Sequence, residues 1–177
     1  MRKVTYGAAA SFDGYLAGRE EALDWLLWSD DAAAISGDSW KGVDTILMGR
    51  KTWEFANAAG SGGGEMPGVT VTKTYVFSRT LKTVPGKNTE LVSSDAGAFV
   101  RALKQQPGKD IMVMSGGDFA TSLLKAGAID EIGLNIHPVL LGAGIPAFLD
   151  PGTRVKLELI ECRPLDGGCV FVNYRVN

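Results

Sequence analysis

Short apolar runs alternate with longer segments of helical spacing along most of the chain. Residues 43–48 (VDTILM), 71–77 (VTKTYVF) and 110–114 (DIMVM) are brief and rich in β-branched and large apolar residues, so they read as strands. Residues 3–10 (KVTYGAAA) form a first strand, weakened by its alanines. Residues 130–137 (DEIGLNIH) form another, and 89–92 a shorter one. Helices fall between them. Ser29 before Asp30 and Asp31 marks a helix start, because side-chain oxygens cap free amides and acids suit the positive end of the dipole. Gly42 stops that helix after about Lys41. RKTWEFANA begins a second helix after Gly49. Asp95 caps a third through Gln105, with Phe99, Val100 and Leu103 at helical spacing, and Asp118 to Lys125 make a fourth, closed by Gly127. Residues 154–161 and 169–176 are strands joined by RPLDGG, a terminal β-hairpin.

The connecting segments carry their own signals. Asp13-Gly14 marks a turn, residues 19–28 (REEALDWLLW) a short helix or ordered loop, Gly60 to Gly64 a surface loop, and 138–146 a turn-rich stretch. Strand–helix alternation through residue 137 calls for a mostly parallel sheet with helices on both faces, to which the hairpin adds antiparallel strands. The expected class is therefore α/β, in a single domain over residues 1–177.

Composition narrows the function classes. Apolar residues make up 45% and charged residues 21%, ordinary for a globular chain able to bury its own core. The net charge of -2, from 18 basic and 20 acidic residues, argues against a nucleic-acid partner. No apolar run reaches the roughly 18 residues of a membrane helix, and the N-terminus has no signal-peptide run, so a cytoplasmic location is expected. Cys162 and Cys169 read as two reduced thiols, with a disulfide across the hairpin as the alternative, which no secretory signal supports. His137 is the one histidine, on a strand, and reads as structural; with no ligand cluster beside it, no metal site is expected.

Three strand ends carry candidate chemistry. At Met48-Gly49-Arg50-Lys51-Thr52-Trp53 a strand passes into a helix, whose free amides, with the Thr52 hydroxyl and two cations, suit a phosphate. Ser115-Gly116-Gly117 lies between another strand and helix, where two glycines let backbone approach a ligand. Ser78 and Arg79 leave a third strand. Each alone also reads as an ordinary turn. Together they carry more weight, because ligands of open α/β sheets gather at the carboxyl ends of strands. Neither the GxGxxG fingerprint nor a Walker A motif is present.

The order strand-MGRKTW-helix, strand-FSRTL, strand-SGGDF-helix resembles the dihydrofolate reductase family. Residues 11–17 (SFDGYLA), Ile129-Asp130-Glu131 and the run from His137 to Gly142 (HPVLLG) narrow the resemblance to the reductase domain of the riboflavin-pathway deaminase-reductase and its stand-alone relatives. It covers about residues 3 to 176. It implies a mixed, mostly parallel sheet of about eight strands, NADPH as cofactor, a small-molecule substrate and a homodimer. By resemblance Gly49, Arg50, Lys51 and Thr52 would hold cofactor phosphates. Ser78 and Arg79 would meet the adenosine 2′-phosphate. Ser115, Gly116, Gly117 and Asp118 would flank the pyrophosphate, with Phe119 packed behind. Two departures stand out. Ser115 occupies the place where riboflavin-pathway reductases usually carry Glu, and no carboxylate sits in the dihydrofolate reductase pattern after the first loop. Asp24 is the candidate substrate-facing acid, with Asp13, Trp25 and Trp28 as candidate pocket residues, Asp13 reading also as a turn residue. Trp53 is expected in the core.

The implied activity is hydride transfer from NADPH to a small planar heterocycle, conjugated carbonyl or imine, resembling 5-amino-6-(5-phosphoribosylamino)uracil reductase and dihydrofolate reductase. A non-catalytic nucleotide- or small-ligand-binding module on the same fold is the alternative, and a flavoprotein, which would be yellow, a third. Gly116 and Gly117 are expected to serve close approach to a phosphate. On that basis Gly117→Val would remove cofactor binding and leave the fold intact.

Overall fold

The computed structural model describes residues 1–58 and 73–177. The expected loop at 60–64, and residues 71–72 of the third strand, lie outside the described residues. In chain order come β1 (Val4–Ser11), β2 (Tyr15–Ala17), a 3-10 turn (Arg19–Glu21), α1 (Asp30–Lys41), β3 (Val43–Gly49) and α2 (Arg50–Ala58). Then follow β4 (Lys73–Phe77), β5 (Thr89–Val92), α3 (Ala96–Lys104), β6 (Asp110–Met114), α4 (Gly117–Lys125) and β7 (Glu131–His137). The chain ends with β8 (Ile145–Pro146), β9 (Leu157–Pro164), a 3-10 turn (Asp166–Gly168) and β10 (Val170–Val176).

The main sheet has eight strands in the order β5-β4-β3-β6-β1-β7-β10-β9. From β5 to β7 every pairing is parallel, and β10 runs antiparallel to both β7 and β9. This is the expected mixed sheet. The final hairpin starts three residues later than expected, with Pro164 inside β9. An edge strand tolerates proline at its end because one side of its backbone needs no ladder partner.

Local chemistry sets the helix ends. Ser29 accepts the Ala32 amide at α1, and Asp95 accepts the Ala98 amide at 2.7 Å at α3. Strand residues alternate between two cores. On one face Val4 and Tyr6 of β1, Leu47 of β3 and Ile111 and Val113 of β6 pack with Val100 and Leu103 of α3 and Ala120 and Leu123 of α4. On the other, Ile46, Met48 and Met112 meet Trp40 of α1 and Trp53 of α2, so Trp53 is a core residue. Each large apolar side chain fully buried here contributes roughly 1.5–3 kcal/mol.

A second, two-stranded sheet pairs β2 with β8. It fastens the segment after β7 across one end of the main sheet. Asp13 accepts the amides of Leu141 (3.1 Å) and Gly142 (2.7 Å) as well as the Ser11 hydroxyl (2.6 Å). The Ala147 amide donates to Gly14 O, the Tyr6 hydroxyl to Ala147 O, and the Leu149 amide to Thr121 Oγ1. Gly144 has φ +147°, and a Cβ there would stand 2.0 Å from Ala17 O, so only glycine lets these two backbones touch. The strap formed by residues 141–149 therefore lies fixed between the β1–β2 turn and α4.

Both cysteines are free thiols, Cys162 exposed and Cys169 buried. Cys162 pairs in register with Val172 and so stands three residues along the hairpin from Cys169. Among the described residues no helix is long and apolar enough to cross a membrane, and no group of His, Cys, Asp and Glu could hold a metal ion.

Candidate functional site

The chain leaves β3 through α2 towards β4, and leaves the neighbouring β6 through α4 in the opposite direction, over β1 to β7. Such a reversal opens a crevice at the carboxyl ends of the two strands. Met48 pairs with Met114, so Gly49 and Ser115 emerge side by side. The Gly49 amide donates to Ser115 Oγ at 3.2 Å, and a Cβ on Gly49 would lie 2.8 Å from that oxygen. A side chain at position 49 would displace the Ser115 hydroxyl, and with it the bond by which Ser115 ties the two strand ends together.

A cleft of about 1100 Å³ opens at this point. All ten sequence-predicted cofactor residues line it: Gly49, Arg50, Lys51 and Thr52 from β3 and α2, Ser78 and Arg79 after β4, and Ser115, Gly116, Gly117 and Asp118 from the β6–α4 turn. Phe55, Phe77, Met114 and Phe119 supply apolar surface from the same elements, and Ile145, Pro146 and Leu149 do so from the strap.

These groups are not equally available. Arg50 forms an exposed i,i+4 ion pair with Glu54 at 3.2 Å, which in water contributes only about 0–1 kcal/mol and yields readily to a better anion. Lys51 and Arg79 make no ion pair among the described residues. Ser78 is buried, and its Oγ accepts the amides of Thr80 (3.2 Å) and Leu81 (3.0 Å), so its first task is to shape the turn that carries Arg79. Gly116 precedes α4 as its N-cap and offers no side-chain cap, whereas α1 and α3 have one. Its first amides stay available to an anion at the positive end of the dipole.

The reason expected for Gly117 needs correcting. A Cβ there would lie 2.4 Å from Pro146 O and 2.8 and 2.9 Å from Ala147 C and O. Gly117 is glycine because the strap's backbone rests on α4, so Gly117→Val should damage the fold itself. Gly116 is different. Its backbone is extended (φ -67°, ψ 163°), and a Cβ would meet only Ile145 Cγ2, at 3.7 Å.

The substrate-side expectations fall elsewhere. Asp24, Trp25, Trp28 and Asp13 are not among the residues that line the cleft. Trp28 is 77% exposed. Trp25 donates its indole N–H to Ala22 O and stands edge-on to His137. Asp13 is the staple of the strap, and the Ser11 hydroxyl, followed by the Gly142 and Leu141 amides, holds its carboxyl below the usual range. From the same stretch it is Glu21, Leu23 and Leu26 that reach the cleft, with Leu16 and Ala17 of β2. Glu20 and Glu21 both have left-handed backbone, at φ 56° and 62°. Each such non-glycine residue costs roughly 1–2 kcal/mol and redirects the side chains that follow. The sequence-level signal for Glu21 was only its place in the acidic run REE.

A family model described as the RibD C-terminal domain matches residues 2–171. The chain belongs to the RibD C-terminal domain family. Similar chains include the uncharacterised proteins YyaP and YwjB of Bacillus subtilis (strain 168). YyaP is 31% identical over 184 residues, covering 100% of this chain and 96% of YyaP. YwjB is 30% identical over 159 residues, covering 89% of each. Solved structures with this architecture include a Shewanella sp. PV-4 protein whose name ties it to riboflavin biosynthesis (TM-score 0.83, 22% identity, 99% of both chains). A pyrimidine reductase-like protein of Corynebacterium diphtheriae superposes with TM-score 0.73 at 15% identity, over 99% of this chain and 92% of that one. Enterococcus faecalis dihydrofolate reductase, solved with NADP(H), gives 0.67 at 15% identity over 99% and 96%. This RibD C-terminal domain thus has the dihydrofolate reductase-like fold.

Proposed function

We propose that residues 1–177 act as one unit, a reductase that binds NADPH in the cleft and reduces a small planar heterocycle, conjugated carbonyl or imine. One observation carries the reading: the ends of β3, β4 and β6 meet in a single cleft at the reversal of the sheet, bringing three cations together with an uncapped helix start. The chemistry of these groups fits a dinucleotide with an extra phosphate. Amides of α4 after Gly116 suit the pyrophosphate. Arg79 and Lys51, with Arg50 once released from Glu54, suit the adenosine 2′-phosphate. Apolar side chains from β6, the strap and the 21–27 segment would exclude water from a flat ring. When bound, NADPH supplies the hydride, and the protein supplies orientation and access for a proton.

The substrate enters beside Leu16, Leu23 and Leu26 of the cleft wall, with Glu21 as the carboxylate of that same segment. Asp24 stands outside that wall, so a proton from Asp24 would have to arrive through solvent. The exposed Leu157 and Leu159 on the open edge strand β9 support a homodimer, and the net charge and the absence of a spanning helix among the described residues fit a cytoplasmic protein without nucleic-acid partners.

The decisive experiment is a titration with NADPH and with NADH, followed by tryptophan fluorescence. NADPH should bind more tightly, and Arg79→Ala should weaken it by about 10- to 150-fold, the equivalent of ~1.5–3 kcal/mol for a charge-assisted contact. NADH affinity should move far less. Equal affinity for the two dinucleotides in the unmodified protein would refute the assignment. Binding of NADPH with no hydride transfer to any member of these substrate classes would favour a non-catalytic binding module.

A further inference from the structure

His137 lies outside the cleft lining, yet its contacts lead to the cleft wall. It ends β7, is 1% exposed, and pairs in register with Ser11 at the end of β1. Its Nδ1 accepts the Leu27 amide at 3.2 Å, and Cys169 Sγ lies 3.4 Å from the same nitrogen. The Trp25 ring stands edge-on to the imidazole, 5.2 Å between centroids at 89°. Trp25 and Leu27 belong to the segment that carries Glu21, Leu23 and Leu26 into the cleft. That segment is neither helix nor strand beyond its first turn. Its own backbone bonds are local: Gly18 to Ala22, Ala22 to Arg19 and Leu26 to Leu23. The Leu27–His137 bond instead spans 110 residues and reaches the sheet.

We propose that neutral His137 is a positioning residue: by accepting the Leu27 amide at Nδ1 it holds the 21–27 wall of the cleft against the sheet, and a proton on Nδ1 releases that wall and weakens ligand binding. The effect on binding rests on the reading of the cleft as the NADPH site; the hold on the wall does not.

The chemistry is simple. An imidazole that accepts at Nδ1 carries its proton on Nε2. Adding a second proton turns Nδ1 into a donor facing another donor, and the bond is lost. No carboxylate is hydrogen-bonded to the ring among the described residues. Nε2 is buried and has no hydrogen-bond partner among the described residues. From the loop before β10 the ring meets the Cys169 thiol, which burial, with the nearby Asp31 charge, keeps protonated. At the start of α1, Asp31 is occupied by the Ser29 hydroxyl and the Asp166 and Ala32 amides. On β1, Ser11 donates to Asp13. Trp25 and Leu27 bring no charge. The pair is thus neutral thiol and neutral imidazole, with no thiolate–imidazolium character.

Burial lowers the pKa of His137 below its ordinary 6.5. The unfolded chain then binds this proton at a higher pH than the folded one. Stability and the hold on the wall are complete above about 6.5 and decline as pH falls through the folded-state value.

The test is amide hydrogen exchange by NMR on the whole, ligand-free chain, read as protection factors at Leu27 and, as a core reference, at Val113 of β6. Leu27 should be protected at neutral pH and lose at least 10-fold more protection than Val113 as pH falls below 6.5, since Val113 follows only the change in global stability. In His137→Asn the amide oxygen stands where Nδ1 stood and accepts at every pH, so Leu27 protection should persist with no acid step. In His137→Ala it should be lost at all pH. If that variant also loses Val113 protection it has unfolded, and the wild-type titration against His137→Asn decides. NADPH affinity should fall with acid in the wild type beyond the fall seen in His137→Asn, since the 2′-phosphate's own titration near a pKa of about 6 is common to both. An absent acid step at Leu27 in the wild type, the same step in His137→Asn, or full Leu27 protection in a folded His137→Ala would overturn the proposal. The expected Leu27 behaviour without NADPH binding at any pH would support the hold on the wall and overturn the cofactor reading.

Discussion

Replacing Gly117 by alanine adds one methyl group where the strap lies on α4. That carbon would sit 2.4 Å from Pro146 O, about 1 Å inside the 3.4 Å at which ordinary contact begins, and within 3 Å of two further backbone atoms of Ala147. Backbone atoms cannot rotate away as a side-chain tip can. The strap must lift, and with it the Ala147–Gly14, Tyr6–Ala147 and Leu149–Thr121 bonds are strained. Overpacking commonly costs about 1–3 kcal/mol, and a clash made wholly with backbone belongs at or above ~3 kcal/mol. For a chain of this length about 3 kcal/mol lowers Tm by roughly 6–12 °C. Gly116→Ala is the control. It meets only a side-chain methyl at 3.7 Å and keeps an allowed backbone, so it should cost under ~1 kcal/mol, mostly as a poorer helix cap. Its new methyl faces the cleft, and NADPH affinity should drop at least 10-fold. Urea and thermal melts, paired with NADPH titration of both variants, read the two effects separately. A Tm for Gly117→Ala within about 2 °C of wild type would refute the packing argument, and weakened NADPH binding at that unchanged Tm would restore a purely ligand-facing role for Gly117.

Dihydrofolate and the riboflavin-pathway ribosylaminopyrimidine should both be poor substrates, because Ser115 stands in place of Glu and Asp24 is absent from the cleft wall. Turnover of either at kcat/KM of ~10⁴ M⁻¹s⁻¹ or more, in an NADPH-oxidation assay, would contradict this. On the edge strand, Leu157 and Leu159 are 44% and 53% exposed and lie on one face. Leu159→Glu should shift sedimentation equilibrium from dimer to monomer while leaving Tm at low concentration unchanged, and a wild-type protein that sediments as a monomer would end the dimer reading.

The strand-end lining of the cleft was legible because it follows from local order. Where a buried strand passes directly into a helix, Gly49–Thr52 and Ser115–Asp118 must emerge at the carboxyl ends of the sheet. The alternation of strands with helices likewise announced a sheet covered on both faces, which Ile46 and Leu47 face from opposite sides. The wall formed by Glu21, Leu23 and Leu26 was not legible, because its geometry hangs on backbone that periodicity does not encode. Two consecutive left-handed glutamates decide that Glu21, Leu23 and Leu26, and not Asp24, Trp25 and Trp28, face the cleft. The β2–β8 pair is three residues against two, too short to register as a strand pattern. The reason for glycine at 117 lies in a segment about thirty residues away, and no local rule names it.

The strap also bears on when the cleft can come into being. β1 is made well before its neighbours in the sheet, β6 and β7, with Val4 opposite Ile111 and Thr5 opposite Glu131. The Asp13 staple closes a separation of 128 residues to Leu141. Contact order this high slows folding, since chain closure must come before the contacts that reward it. During synthesis from the N-terminus, the cleft stays without the strap that lines it until residues 145–149 have left the ribosome. Ligand binding in the cleft therefore reports a chain whose synthesis has passed residue 149.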